Sequence, residues 1–168
     1  MFKSTTVLIG QAGPQRLALA ASALMALVLG TGVYLLDRDW ATALFLAPLA
    51  GFQGERAELF GALGYVLPAF CHAYAFALLL ILALGRSRRA RIFGALAWFA
   101  VATGLEALQM PRISALLPSL AMWHTDSPAL GSILMYAVNG RFDPCDLAAA
   151  GLGCLAAWLI TSVPEEAT

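Results

Sequence analysis

Charge is scarce in this sequence. Only 12% of its 168 residues are Asp, Glu, Lys or Arg, and ten basic residues against ten acidic ones leave no net charge. No basic face is available to hold nucleic acid electrostatically, so none is expected as a partner. Cysteine is nearly as sparse. Cys71, Cys145 and Cys154 form no C-x-x-C pair, and two of them lie in strongly apolar runs where a thiol acts as a small hydrophobe, so neither a disulfide nor a thiolate cluster is expected. The two histidines, His72 and His124, lack H-x-x-x-H or H-E-x-x-H spacing, which argues against zinc. His72 also lacks a second axial histidine at helical spacing, so haem or pigment ligation is disfavoured and no cofactor is expected. Repeats and low-complexity tracts are absent. Met1 to Arg16 is too polar for a signal-peptide core, and no small-x-small pattern precedes Asp37, so the first apolar run is expected to stay in the mature protein.

What the chain has is apolar length. A 61% apolar share and a mean hydropathy of +0.79 exceed the roughly one-half apolar share of a soluble domain and place the chain in a bilayer. Leu17 to Leu36 is free of charge and long enough to cross, since about twenty helical residues span a hydrocarbon core. A second run ends at Leu84; its Pro68 marks a kink or a first turn, giving a span over 64–84 whose regular part begins near Ala69. Further spans are expected over 92–110, closed by Pro111, and over 146–163, closed by Pro164. The expected fold is a single all-α integral membrane domain of four transmembrane helices.

Orientation follows from Gly85 to Arg91, a short connection holding four arginines, because short arginine-dense loops stay cytoplasmic. Lys3, Arg16 and both termini then lie inside, while Asp37, Asp39, Glu55, Glu58, Asp126, Asp143 and Asp146 lie outside. The outer connections, 40–52 and 113–138, are too short to span and too apolar for simple loops. They are expected as short helices in the outer headgroup region, anchored by Trp40 and Trp123, with re-entrant hairpins as the alternative.

The chemistry-bearing residues gather at the outer level. Glu106 lies near the outer end of span three, where an acid costs less than the roughly 2.5–3.5 kcal/mol of mid-span. Gln109, three residues on, shares its face, and Arg112 follows as a possible counter-charge, so packing alone accounts for the pair as well as a site does. His72 is the one histidine inside a span; it can stay neutral there and still donate and accept a hydrogen bond, and it is a candidate partner for Glu106. Before span four, Asp143 precedes Pro144 as a helix N-cap, and Asp146 sits in the first turn where the helix dipole favours negative charge. That capping role leaves Asn139 and Arg141 available to an anionic group such as a lipid phosphate. Within span four, Gly151 and Gly153 offer a smooth surface for close helix approach.

Three segments taken in order, Pro68-Ala69-Phe70-Cys71-His72-Ala73-Tyr74-Ala75-Phe76, Glu106-Ala107-Leu108-Gln109 and Arg141-Phe142-Asp143-x-x-Asp146 with Gly153 beyond, resemble the VanZ-like family of small multi-pass bacterial membrane proteins. The likeness runs over roughly Gly64 to Trp158, with Pro68-Ala69 where the family commonly carries an acidic and basic pair and Ala150 where it carries asparagine. The resemblance implies the bacterial cytoplasmic (inner) membrane and the cell envelope, and it implies no reaction. Three functions follow as expectations. The first is binding or presenting a lipid or wall-precursor headgroup at the outer leaflet, through His72, Glu106, Gln109, Arg141, Asp143 and Asp146. The second is an accessory subunit whose Ala/Gly faces meet other membrane protein subunits. The third and weakest is an enzyme pairing His72 with Glu106 or Asp146 as general base, which requires hydrogen-bond reach between them.

Overall fold

A chain segment with no water around it must pair its own N–H and C=O groups, and the long uncharged runs do so as helices. The computed structural model describes residues 13–37, 39–40, 47–52, 54, 59–117 and 128–162. Its helices are α1 (Pro14–Asp37), α2 (Leu63–Leu84), α3 (Arg88–Leu108), a single turn α4 (Pro111–Ser114), α5 (Pro128–Asn139) and α6 (Pro144–Ile160), with a 3₁₀ turn at Ala47–Phe52; no strand occurs among the described residues. At 24, 22 and 21 residues, α1, α2 and α3 are long and apolar enough to cross a membrane. The apolar α6 is shorter at 17 residues.

The helix ends differ from expectation in ways that local chemistry explains. The arginine-rich connection is only Gly85 to Ser87, because the Ser87 Oγ accepts the Ala90 N–H at 3.2 Å and starts α3 at Arg88, four residues before the expected Ile92. Gly85 closes α2 at φ +96°, a backbone region that side chains disfavour. At the other end of α2, Pro68 does not delay the regular helix to Ala69; the helix begins at Leu63 and passes through a buried Pro68, which removes only the bond to the Gly64 carbonyl. The expected outer segments contain the 3₁₀ turn, α4 and α5. Residues 41–46 and 118–127, including Trp123, His124 and Asp126, lie outside the described residues, as do Lys3, Glu55 and Glu58.

Helix α2 is the axis of the bundle: α1, α3 and α6 all pack on it, and α3 also touches α6. The core is built of small side chains, Ala73, Ala75, Ala77, Leu78 and Ile81 of α2 against Ala23, Ala95, Ala150, Cys154 and Ala157. Each neighbour meets α2 at a glycine. A Cβ on Gly30 of α1 would lie 3.0 Å from Cys71 Cβ, one on Gly94 of α3 2.7 Å from Ile81 Cγ1, and one on Gly153 of α6 2.5 Å from the Phe70 carbonyl oxygen. Small residues let helix backbones approach where lipid supplies no hydrophobic drive for association. Gly151 faces the Phe99 ring of α3, so both glycines read from the sequence as packing positions are used inside the bundle. Leu17, Leu24, Met25 and Val28 of α1 remain exposed, as surface in contact with acyl chains would be.

Gly153→Ala should destabilise the protein by about 1–3 kcal/mol, since the new methyl meets backbone on α2 and neither helix can yield without repacking. Gly32→Ala, which has nothing within 4 Å, should be neutral or slightly stabilising. Thermal unfolding in detergent micelles checks both, and equal behaviour of the two variants contradicts the packing argument.

Candidate functional site

At the end of the bundle opposite the arginines, three chain segments bring polar groups together. Helix α3 carries Glu106 in its last turn and stops at Gln109, whose N–H bonds back to the Glu106 and Ala107 carbonyls. Extended backbone at Met110 and the ring of Pro111 then turn the chain away. Gln109 is only 5% exposed. Its amide lies against Gly140, just after α5, where an added Cβ would come within 2.5 Å of Gln109 Cδ. The same amide lies beside the Tyr136 phenol of α5, and its buried Nε2 makes no hydrogen bond among the described residues.

Helix α6 contributes its N-terminus. Asp143 caps it as the sequence suggests: its Oδ1 accepts the Cys145 N–H at 2.8 Å, with Pro144 following in the first turn. The Asp143 N–H in turn donates to Glu106 Oε2 at 3.3 Å, tying α3 to α6. Asp146 occupies the first turn of α6. Tyr136 lies within electrostatic reach of Glu106, Asp146 and Tyr34. Burial first, and then the neighbouring Tyr34 phenol and the Glu106 and Asp146 carboxylates, hold its phenol well above its ordinary value of 10.0.

Glu106, Gln109, Asp143 and Asp146 are therefore neighbours. His72 joins them only indirectly: its ring stacks on Tyr34 at 5.5 Å and tilts against Phe76 at 6.4 Å. Its Nε2 faces Gly30 of α1, 3.3 Å from where a Cβ would stand. The gap left by Gly30 takes the ring between α1 and α2. Arg141 stands exposed in the four-residue connection before Pro144. The side chain of Asn139 lies outside the described residues.

Two phenols, Tyr34 and Tyr136, belong to this cluster and escape a reading based on charge. Their signal is depth: Tyr34 is one turn before Asp37, and Tyr136 one turn before Gly140. Asp37 has its own task, accepting the Leu59 and Phe60 N–H groups at 2.8 and 2.7 Å, which ties the end of α1 to the segment entering α2. No group of three or more His, Cys, Asp or Glu is placed to hold a metal ion among the described residues. The cluster offers amide and phenol donors beside carboxylate acceptors, so its chemistry is hydrogen-bonded recognition of a polar group.

Asp143→Ala should cost about 1 kcal/mol of stability through the lost cap. Tyr136 makes a pH-dependent contribution. A phenol whose folded pKa is raised gives stability that is complete below its unfolded pKa and is lost as pH rises above it, so the wild type should lose stability above pH 10.0 more steeply than Tyr136→Phe. Parallel curves for the two proteins in chemical unfolding across that range count against a buried phenol.

No family model, no curated protein and no solved structure matches this chain.

Proposed function

We propose that the chain is a VanZ-like protein of the bacterial inner membrane, with four spans and both termini cytoplasmic, that binds a lipid or wall-precursor headgroup at the outer leaflet. The observation that carries this reading is the buried Gln109 amide. Its Nε2 lacks a partner while the residue is 5% exposed, next to Tyr136 and on the helix of Glu106. A buried donor without an acceptor costs about 1–3 kcal/mol, and an incoming acceptor atom recovers it. Around that donor the carboxylates of Glu106 and Asp146 suit hydroxyl or amine hydrogens, and the exposed Arg141 stands at the same end for a phosphate. In this placement α6 is the fourth span, its 17 residues bracketed by the interfacial α5 and the arginine end.

The alternatives draw less from the geometry. As an accessory subunit the chain would offer its Gly/Ala faces, but Gly151 and Gly153 are occupied by Phe99 and α2. As an enzyme it would need His72 within reach of a carboxylate, and the contacts that its ring makes here are with Tyr34 and Phe76.

Purified protein in nanodiscs, with retention of lipid-linked wall precursor and phospholipid read by native mass spectrometry, tests the reading. Gln109→Leu and Arg141→Ala should each weaken retention on the order of tenfold, the worth of one good hydrogen bond or charge contact. If both variants match wild type in affinity and selectivity, the site is not here. Orientation is tested separately: Ser87→Cys in a Cys145→Ser background should react with an impermeant thiol reagent in inverted vesicles only.

A further inference from the structure

The end of the bundle opposite the polar cluster carries five arginines, Arg16, Arg86, Arg88, Arg89 and Arg91, and no acid among the described residues there. Three of them serve the bundle itself. Arg16 donates to the Leu82 carbonyl at 3.3 Å, Arg86 to Gln15 Oε1 at 2.7 Å and Arg91 to the Thr161 carbonyl at 2.8 Å. Arg88 and Arg89 are different. They are exposed in the first turn of α3, at the positive end of its dipole, where helices favour acids and disfavour cations. The Ser87 side chain meets the Ala90 N–H of that turn, and the N–H groups before it have no intrahelical acceptor. An arrangement that is unfavourable alone becomes favourable once an anion arrives.

The surface beside these arginines identifies the anion's carrier. Ile92 and Phe93, one turn after Arg88 and Arg89 on α3, are exposed, Phe93 by 62%. A free anion or a nucleic acid has no use for such a border, whereas a diacyl phospholipid lays its chains along it and its phosphate at the arginines. We propose that Arg88 and Arg89, at the start of α3, form a binding site for an anionic phospholipid headgroup. The inference uses the membrane placement above but is independent of the Gln109 cluster, at the other end of the molecule.

Full-length protein in detergent, titrated with phosphatidylglycerol and followed by thermal unfolding, should gain stability that phosphatidylcholine does not confer and that high salt removes. Arg88→Gln with Arg89→Gln should weaken the apparent affinity about thirty-fold, from about 1 kcal/mol per arginine. Arg88→Lys with Arg89→Lys should retain most of it, and Arg112→Gln, at the opposite end, should retain it all. Equal stabilisation of the double glutamine variant and wild type overturns the site. Equal effects of phosphatidylcholine, or of inorganic phosphate alone, overturn its assignment to an anionic lipid. If the double glutamine variant fails to fold, the comparison of the three ligands on wild type still decides.

Discussion

The contact on which the bundle depends is backbone against backbone. Helix α2 has three neighbours, and each touches it through a glycine: Gly30 at Cys71, Gly94 at Ile81, Gly153 at the Phe70 carbonyl and the Tyr74 amide. Such crossings hold helices of alanine-rich surface close enough for dispersion to act over many atoms, which is what remains to drive association when the surroundings are as apolar as the core. They also fix register. A glycine groove admits one approach, because sliding α6 along α2 by one residue would bring a larger side chain against the Phe70 carbonyl.

That register places the polar cluster. Gly153 is ten residues after Asp143, so about 15 Å of helix separates the crossing from the N-terminus of α6. The end of α3 is set by its own crossing at Gly94 and by its contact with α6 through Gly151 and Phe99. With both helices positioned against α2 and each other, the Asp143 N–H meets Glu106 and Gln109 meets Gly140. The polar residues therefore join where they do because of contacts deep in the bundle rather than through mutual attraction alone. It also explains a buried amide donor without a partner: packing against Gly140 and Tyr136 holds Gln109 in place at a cost that a mobile side chain would avoid by turning to water.

Hydropathy made the long helices legible, because an uncharged run of twenty residues has few alternatives to a helix. Glu106, Gln109, Asp143 and Asp146 were legible as neighbours in depth, since distance along a span follows from counting residues. Rotation about the span does not. His72 was read at about the right level but turned toward Tyr34 and Gly30, and only the position of α1 determines that. Gly30 and Gly94 were opaque for the same reason, since a glycine in an apolar run looks identical whether it faces a neighbour or lipid. Ser87 was a signal passed over: four arginines masked a serine three residues before an amide that needed it.

The separation of charge between the two ends has a source in helix termini as well as in membrane topology. Helices α2 and α6 both direct their C-termini to the arginine end, and there Arg16 and Arg91 donate to carbonyls that no helical N–H can reach. Their N-termini point to the acidic end, where Asp37 accepts the Leu59 and Phe60 amides ahead of α2 and Asp143 caps α6. For these two helices cation and carboxylate sit where the dipole favours them. Helices α1 and α3 run the other way and reverse the balance. Glu106 lies in the last turn of α3, at the negative end of its dipole, and Arg88 and Arg89 open it at the positive end. Both positions are electrostatically uphill for the isolated chain. Glu106 is relieved from within, by the Asp143 N–H. Arg88 and Arg89 lie on the surface, where the anionic headgroup proposed above would offset them.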